Sequence, residues 1–269
     1  RQGIEESAIE AVICNALFVY NDIKKFTSLK YIQLTSAGYD RAPMDFIRKS
    51  GIRIYNARGV YSVPMAEFAL CGALQLYKKS SFFFENQKRR EWIKQRELRE
   101  LFGRSVCIVG CGSVGEECAK RFQAFGCGVT GIDTHVFESK AFREIKKAEC
   151  LKSVLKVSDI VVLTLPLTED TYHLMGREEI NAMKAGSILI NIARGAVVDT
   201  AALLEGLRNH LLGAALDVFE TEPLEESPLW EMENVILTPH NSFVGEGNNE
   251  RLMNVIIENL KRNGNAYRS

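Results

Sequence analysis

From Leu101 onward, short runs of apolar residues alternate with segments whose apolar positions recur at helical spacing. The apolar runs have the length of strands, and several consist almost entirely of Val, Ile and Leu, as expected for strands buried on both faces. They predict strands at 105–109, 128–132, 160–165, 187–192, 213–218 and 235–237. Helices are predicted at 113–125 and 200–209. Strands that alternate with helices in this way indicate a doubly wound α/β domain built on a parallel sheet.

A second and smaller alternation lies earlier in the chain, with predicted strands at 11–14, 31–34 and 52–55. Pro64 favours a helix start, and the apolar residues up to Leu70 predict a helix that bridges two domains. Near the end of the chain, the apolar residues of 250–262 recur at helical spacing, so this helix is expected to pack on a domain. The pattern therefore predicts two α/β domains.

The length and the charge of the chain agree with two domains that bind small molecules. The 269 residues exceed the size at which a single core usually stops growing. Lys plus Arg and Asp plus Glu number 34 each, so the formal net charge is zero and gives no general attraction to nucleic acid or anionic lipid. The mixed charges of 87–100 predict a solvated helix rather than a nucleic-acid contact. The expected partners are small molecules or other subunits.

The sequence carries no pattern of a membrane or metal-binding protein. No apolar run approaches the ~18 residues that cross a bilayer, and the acidic, polar N-terminus is unlike a signal peptide. The seven cysteines show no C-x-x-C pair, which argues against a zinc site. They are interpreted as small apolar residues in a reducing environment. We therefore expect a cytoplasmic protein with no membrane segment and no metal.

The segment Gly110-Cys111-Gly112-Ser113-Val114-Gly115 has the spacing G-x-G-x-x-G. It follows a predicted strand and begins a predicted helix, which is the context that dinucleotide binding requires. Gly110 permits the tight turn, Gly112 lets a pyrophosphate approach the backbone, and Gly115 allows close packing of helix on strand. Asp133, at the end of the next strand, would accept hydrogen bonds from the adenosine ribose and repel a 2′-phosphate. The motif predicts an NAD site, with NADP disfavoured by Asp133; the alternative is a purely structural glycine turn.

Three further predicted strands end in residues that could do chemistry. Arg194 follows one of them, and a buried arginine needs an anionic partner, either an internal carboxylate or the carboxylate of a substrate. The next strand ends in Asp217, Glu220 and Glu222, any of which could be a surface acid. The last strand leads into His240. All of them lie at the carboxyl ends of strands, where open parallel sheets bind ligands, and this shared position predicts a common site.

The segments around these residues resemble the D-2-hydroxyacid dehydrogenase family, the D-isomer specific 2-hydroxyacid dehydrogenases. The resemblance rests on blocks that occur in the family's order and at its spacing, namely LTLPLT (163–168), NIARG (191–195), DVFETEP (217–223) and TPH (238–240). Two earlier blocks, SAGYD (36–40) and NARG (56–59) followed by Ala66-Glu67, match the family's substrate domain. The resemblance covers most of the chain.

Carried over to this chain, the resemblance implies that Arg194, Glu222 and His240 are the catalytic set. Arg194 would bind the carboxylate and the carbonyl oxygen of a 2-keto acid. His240 would give a proton to that oxygen as hydride arrives from the nicotinamide, and would take it back in the reverse direction. Glu222 would orient the imidazole and favour its protonated form. Backbone amides around Ala37 and Gly38 would hold the substrate carboxylate.

The resemblance further implies an NAD-dependent oxidoreductase that interconverts a D-2-hydroxy acid and a 2-keto acid and forms a homodimer through its cofactor domain. The implied fold is a Rossmann cofactor domain at 63–241 and a smaller flavodoxin-like α/β substrate domain at 1–62 and 242–269, with the active site between them. Asp217 would contact the nicotinamide carboxamide. The other residues expected at the cofactor are Gly110, Gly112, Ser113, Val114, Gly115, Asp133, Leu165, Pro166, Ala193, Arg194 and His240.

Two features depart from the relatives. Relatives carry a first strand and helix before the segment that begins near Ala8, so the substrate domain is expected to be short. Phosphoglycerate-specific relatives have an arginine where this chain has Leu34-Thr35-Ser36, and we expect no regulatory domain after the last helix; both expectations favour a simple or apolar 2-keto acid. Two alternatives stay open: an NAD(H)-sensing corepressor of the same family, and a different Rossmann protein that leaves Arg194, Glu222 and His240 without a joint purpose.

Overall fold

The computed structural model describes residues 4–265 and divides this part of the chain into two compact units. One unit comprises 4–61 and 245–265, and the other comprises Ser62–Val244. Each is an α/β unit built on a parallel sheet. Within the described range, none of the helices is both long enough and apolar enough to cross a membrane.

The regular elements are numbered here in chain order. The strands are β1 Ala11–Cys14, β2 Tyr31–Leu34, β3 Arg53–Tyr55, β4 Ser105–Val109, β5 Gly128–Asp133, β6 Glu144–Lys147, β7 Ile160–Leu163, β8 Ile188–Asn191, β9 Gly213–Leu216 and β10 Val235–Leu237. The α-helices are α1 Leu17–Tyr20, α2 Met44–Ser50, α3 Ser62–Tyr77, α4 Ser80–Arg89, α5 Ser113–Ala124, α6 Leu151–Leu155, α7 Arg177–Ala182, α8 Thr200–Asn209 and α9 Asn248–Asn265. Short 3-10 helices occupy Glu6–Ala8, Ile23–Lys25, Ala148–Cys150, Glu169–Thr171, Gly195–Val197 and Pro228–Glu231.

The larger unit is built on a seven-stranded parallel sheet with the order β10-β9-β8-β7-β4-β5-β6. Strands β7, β8 and β9 are buried along their whole length, as expected when helices cover both faces. Alternate residues of β4 face opposite sides. Val106 and Ile108 belong to the core under α3 and α5, whereas Cys107 and Val109 belong to the core under α6, α7 and α8. The predicted doubly wound α/β fold is confirmed.

The strand order of this sheet reverses between β4 and β7. From β4 the chain moves outward through β5 and β6, returns to β7 on the other side of β4, and then moves outward to β10. Such a reversal leaves a crevice beyond the carboxyl ends of the two central strands, and ligands of open α/β sheets bind there. The loops that follow β4 and β7 therefore flank the candidate site.

The smaller unit is discontinuous in sequence, because the last helix returns to it. Its sheet has the parallel order β1-β2-β3, with β2 fully buried in the centre. On α9, the Asn259 Nδ2 donates to the Gln33 Oε1 of β2 (3.0 Å), and the Arg251 Nε donates to the Val60 carbonyl oxygen (2.7 Å). The first bond fixes α9 to the sheet, and the second fixes it to the segment after β3. The apolar core of the unit consists of Ile23, Phe26, Leu29, Ile32, Leu34 and Ile47.

The prediction of a helix over 87–100 is wrong beyond Arg89. Helix α4 ends at Arg89, and 91–100 forms neither helix nor strand. Arg90 has a left-handed φ of 59°, and the Glu91 N–H donates to the Asn86 carbonyl oxygen (2.9 Å), which closes the helix. Charged side chains are solvated equally well on an extended chain, so the charge pattern could not distinguish the two conformations.

Candidate active site

The G-x-G-x-x-G turn joins β4 to α5, and its glycines serve different purposes. Gly110 has a φ of 95°, and a Cβ there would lie 2.9 Å from the Leu165 backbone nitrogen. A Cβ on Gly115 would lie 2.1 Å from the Gly110 carbonyl oxygen, so glycine is needed for α5 to start this close to β4. A Cβ on Gly112 would meet nothing within 4 Å among the described atoms. The space beside Gly112, at the N-terminus of α5, fits a pyrophosphate that approaches free N–H groups.

Asp133 ends β5 and turns its carboxylate toward the same glycine turn. Its Oδ2 accepts a hydrogen bond from the Cys111 N–H (2.7 Å), and its Oδ1 accepts one from the His135 N–H (3.1 Å). From the other side, the Thr164 hydroxyl after β7 donates to the Gly110 carbonyl oxygen (2.6 Å). Burial, with a smaller effect of Asp133, raises the pKa of the Cys111 thiol to about 12, so this thiol is not a nucleophile at neutral pH. The turn is thus bracketed by the segments after β5 and β7.

The three residues predicted to be catalytic follow three adjacent strands, β8, β9 and β10. Arg194 lies three residues beyond Asn191, the buried last residue of β8. The Asn191 side chain accepts a hydrogen bond from the Ala193 N–H (3.0 Å) and donates one to the Arg194 carbonyl oxygen (3.1 Å). The half-buried Arg194 side chain donates from Nη1 to the Ala193 carbonyl oxygen (2.8 Å). A buried amide therefore fixes the backbone from which the guanidinium extends.

The structure brings His240 and Glu222 together. The His240 Nδ1 lies 2.7 Å from the Glu222 Oε2, and both side chains are partly exposed. The other carboxylate oxygen of Glu222 accepts a hydrogen bond from the Phe219 N–H (3.0 Å), which orients the carboxylate. With Nδ1 engaged in this way, Nε2 is the ring nitrogen that can exchange a proton with a bound molecule.

His240 has a left-handed backbone with a φ of 51°, which is unfavourable for a residue other than glycine. Its N–H donates to the carbonyl oxygens of Asp217 (2.8 Å) and Thr238 (3.0 Å). The Asp217 carboxylate is fully buried: Oδ1 accepts from the Thr238 hydroxyl (2.7 Å) and the Asn241 N–H (2.7 Å), and Oδ2 accepts from the Ser242 N–H (2.8 Å). Asp217 thus holds the turn that presents His240.

This structural role of Asp217 was not predicted, because its donors include backbone amides that leave no trace in the sequence. A carboxylate offers about four acceptor positions. Three are used here, and one on Oδ2 remains for a further donor.

In the smaller unit, the predicted substrate loop with Ala37 and Gly38 follows β2. Residues after the neighbouring strand β3 hold it in place. The Ala57 N–H donates to the Ser36 carbonyl oxygen (2.9 Å), and the Asn56 Nδ2 donates to the Ala37 carbonyl oxygen (2.6 Å). These bonds use carbonyl oxygens of the loop, so they do not occupy the N–H groups of Ala37 and Gly38.

Sequence reasoning also missed a second histidine–carboxylate pair in the larger unit. The His173 Nε2 lies 2.8 Å from the Glu220 Oε2. Glu220 had been noted only as one of several acids in its block, and His173 belongs to no recognisable motif. The two residues are 47 positions apart, so only the tertiary structure reveals the pair.

The chain is similar to one described protein family over most of its larger unit. The model of the family described as D-isomer specific 2-hydroxyacid dehydrogenase, NAD binding domain, matches residues 70–242, which is more than half of the chain. The chain belongs to the D-isomer specific 2-hydroxyacid dehydrogenase family. The family predicted from the sequence blocks is confirmed, and so are the NAD cofactor and the oxidoreductase class.

Relatives in the family act on different acids. The (S)-sulfolactate dehydrogenase of Chromohalobacter salexigens is 36% identical over 244 residues, which cover 89% of this chain and 79% of that protein. The D-3-phosphoglycerate dehydrogenase of Methanocaldococcus jannaschii is 32% identical over 89% of this chain, which spans only 46% of that longer protein. The structure of D-lactate dehydrogenase from Aquifex aeolicus, complexed with NAD and lactic acid, has 27% identity and a TM-score of 0.81, covering 98% of this chain and 86% of that one. This dehydrogenase is an NAD-dependent oxidoreductase that acts on CH–OH groups.

Proposed function

We propose that Arg194, Glu222 and His240 are the residues with which this dehydrogenase interconverts a D-2-hydroxy acid and a 2-keto acid. The observation that carries the proposal is the 2.7 Å contact between His240 Nδ1 and Glu222 Oε2, on a histidine held in a left-handed turn. Strained backbone persists where the surrounding structure holds it, and it concentrates at functional sites. Together with the NAD-binding family, this arrangement supports an acid/base role for His240.

The chain's own residues move the proton of the reaction. The bound nicotinamide supplies or accepts the hydride. In the reductive direction, protonated His240 gives its Nε2 proton to the keto oxygen as that oxygen gains negative charge, and in the oxidative direction neutral His240 removes the hydroxyl proton. Glu222 stabilises the imidazolium from the Nδ1 side and keeps the ring aligned. One keto acid, one hydride and one proton thus give one hydroxy acid.

Arg194 and the smaller unit would bind the acid. A planar guanidinium can engage a carboxylate oxygen and the neighbouring keto oxygen together, which orients the carbonyl and polarises it. The N–H groups of Ala37 and Gly38 would hold the second carboxylate oxygen, supported by the fact that Ala57 and Asn56 bond to carbonyl oxygens of this loop. Residues 1–62 and 242–269 would accordingly form the substrate domain, and 63–241 the cofactor domain.

For the cofactor, we propose that the N–H groups of the glycine turn, including those of Ser113 and Val114, bind the pyrophosphate. Asp133 would accept hydrogen bonds from the adenosine ribose. Asp217 would use its remaining acceptor position for the nicotinamide carboxamide. Leu165, Pro166 and Ala193 would line the site, because they follow β7 and β8 at the carboxyl edge of the sheet.

The proposed substrate is a simple or apolar 2-keto acid. The segment Leu34-Thr35-Ser36 brings no cation to the loop that would face the substrate. The relatives named above act on acids with and without a second anionic group, so their names leave the choice to the residues of this chain.

A homodimer through the cofactor domain is the proposed assembly. Residues 83–98 of that unit expose several large apolar side chains, and residues between Phe83 and Arg96 line a groove of about 720 Å³. Charges of both signs accompany them, so a second copy of the same surface is electrostatically compatible. The proposed location is the cytoplasm, because buried cysteines such as Cys107 and Cys118 serve as small core residues, as is common in a reducing environment.

The first experiment measures NADH oxidation by a panel of 2-keto acids, for the wild type and for His240→Ala. We expect turnover of at least one acid by the wild type, and a loss of roughly 10²- to 10⁴-fold in kcat for His240→Ala, as is typical when an acid/base group is removed. His210→Asn is the matched control. His210 is the C-cap of α8, contacts the Ile180 carbonyl oxygen and precedes β9, at the edge of the sheet opposite the strand ends that carry the site, so the kcat of this variant should stay near the wild-type value.

Unchanged kcat in His240→Ala would contradict the assignment of His240. NADH binding without turnover of any 2-keto acid would contradict the catalytic proposal itself and would favour an NAD(H)-sensing protein.

A further inference from the structure

In the second histidine–carboxylate pair, Glu220 lies two residues before Glu222 in the sequence, and both of its carboxylate oxygens accept hydrogen bonds or contact a partner. Glu220 Oε2 contacts the His173 Nε2 (2.8 Å), while Oε1 accepts hydrogen bonds from the Thr200 N–H (2.9 Å) and the Thr200 hydroxyl. Partial burial acts to raise the pKa of Glu220, but the bonds from Thr200 and His173 outweigh it, so this pKa lies below its usual value. Glu220 is therefore an anion at neutral pH, with both oxygens engaged.

One partner of Glu220, Thr200, belongs to the segment that follows Arg194, and the other, His173, is hydrogen-bonded to that segment. Thr200 is the first residue of α8, six residues beyond Arg194. His173, which has a left-handed φ of 50°, donates its N–H to the Ala196 carbonyl oxygen (2.8 Å). Two residues further on, Met175 forms a parallel β-bridge with Val198, so the segment of His173 pairs with the segment that follows Arg194. Glu220 thus joins its own loop to two segments that are already paired to each other.

The same two loops also meet directly through their backbones. A Cβ on Gly195 would lie 1.8 Å from the Phe219 carbonyl carbon and 2.4 Å from the Glu220 nitrogen. No larger residue fits at position 195 while the loops keep this separation. The loop that begins at Arg194 and the loop that carries Glu222 are therefore in van der Waals contact, and Glu220 is the charged group that ties them.

We infer that Glu220, held by His173 and Thr200, is a positioning residue that sets where the Glu222 loop lies relative to the Arg194 loop. The inference rests on the proposed function, because it concerns the relative placement of the proposed substrate-binding arginine and the proposed acid/base pair. Neither Glu220 nor His173 touches the reacting atoms in this role. The effect on catalysis follows from geometry, since displacements of about 1 Å can cost roughly 100-fold in rate.

The test compares Glu220→Ala, Glu220→Gln and the control Glu205→Ala. Glu205 pairs with Arg177 on the surface of the same unit, between α7 and α8, and contacts neither loop. Glu220→Ala should lower kcat by roughly 10- to 100-fold and raise KM for the keto acid, because Arg194 and Glu222 lose their common anchor. Glu220→Gln should recover most of this loss, because its carbonyl oxygen still accepts both bonds from Thr200. Glu205→Ala should leave kcat and KM at wild-type values.

A spectroscopic measurement tests the inference without turnover. The chain has four histidines, so the imidazole ¹⁵N–¹H signals can be assigned with single His variants, His240→Ala identifying His240. We expect the His240 signals to shift in Glu220→Ala and to stay in place in Glu205→Ala. Fixed His240 signals, or a lower Tm with wild-type kcat and KM, would overturn the inference and leave Glu220 as a stabilising residue only. Failure of the proposed function would look different, because the wild type itself would then reduce none of the 2-keto acids.

Discussion

At the scale of single residues, the Asp217 carboxylate determines whether His240 can take its conformation. It receives one hydroxyl and two amide hydrogen bonds from residues 238–242 and is fully buried. In Asp217→Asn, an amide NH2 replaces one oxygen and faces an N–H donor. We expect this variant to lose about 1.5–3 kcal/mol of unfolding free energy, the usual value of hydrogen bonds to a charged group, and to lose kcat as well. Urea unfolding and steady-state kinetics measure the two effects.

Thr238→Val is the matched control for this prediction, since it removes a single hydrogen bond to the same carboxylate. Its loss of unfolding free energy should be smaller, about 0.5–1.5 kcal/mol. Equal stability of Asp217→Asn and the wild type would mean that the turn does not depend on the charge of residue 217.

Residue types that chemistry restricts were predictable at this scale. Glycines with a fixed spacing, an arginine after a buried strand and a histidine after another strand are each visible in the sequence. The hydrogen-bond partners of a carboxylate, in contrast, are not visible in the sequence. Glu220 and His173 come together across 47 positions, and Asp217 meets backbone amides, so both arrangements depend on the folded chain.

At the scale of elements, two glycines of the β4–α5 turn have different purposes. The fold requires Gly115, whereas we expect Gly112 to be required only for the ligand. Gly112 has a φ of −72°, which alanine can adopt, and its Cβ would meet no described atom within 4 Å, whereas a Cβ on Gly115 would lie 2.1 Å from the Gly110 oxygen. We expect Gly112→Ala to keep the wild-type Tm but to bind NADH at least ~10-fold more weakly, because the methyl group occupies the path of the pyrophosphate. NADH titration and thermal unfolding measure the two effects.

Gly115→Ala is the comparison variant. It should lose about 1–3 kcal/mol of unfolding free energy, as overpacked sites do, in addition to NADH affinity. If Gly112→Ala bound NADH as tightly as the wild type, the pyrophosphate would have to lie elsewhere.

The elements themselves were predicted best where their two faces are buried. Strands β7, β8 and β9 have continuous apolar sequences because helices cover both of their faces. Strand β6, with the sequence EIKK, was not predicted, since an edge strand that buries only Ile145 carries little hydrophobic signal. The prediction of a helix over 87–100 was wrong because it rested on charged residues alone, and a pattern of charges does not specify a conformation.

At the scale of the whole molecule, the surface of residues 83–98 gives the proposed homodimer a testable location. Its exposed apolar side chains are Phe83, Phe84, Trp92, Ile93 and Leu98, with Trp92 95% exposed. We expect the wild type to elute at twice the chain mass of 30.2 kDa and the double variant Phe84→Glu/Trp92→Glu to elute at that mass, because buried unpaired carboxylates oppose association. Size-exclusion chromatography with light scattering gives both masses.

Trp230→Glu is the control, as an exposed tryptophan of the same unit outside this surface, and it should not change the mass. A wild-type monomer, or a double variant that remains a dimer, would exclude the 83–98 surface as the interface.

The sequence by itself determined the fold class, the glycine turn and the family, because each depends on local periodicity or on residues at fixed spacing. It also placed Arg194, Glu222 and His240 after strands, which is a property of the chain order. Only the tertiary structure made β8, β9 and β10 neighbours and placed Glu222 Oε2 2.7 Å from His240 Nδ1. It also brought Asp217 into contact with the turn of His240, and Glu220 into contact with Thr200. Those contacts join residues far apart in the chain, many through backbone groups that every residue shares, and such partners are chosen by packing rather than by residue type.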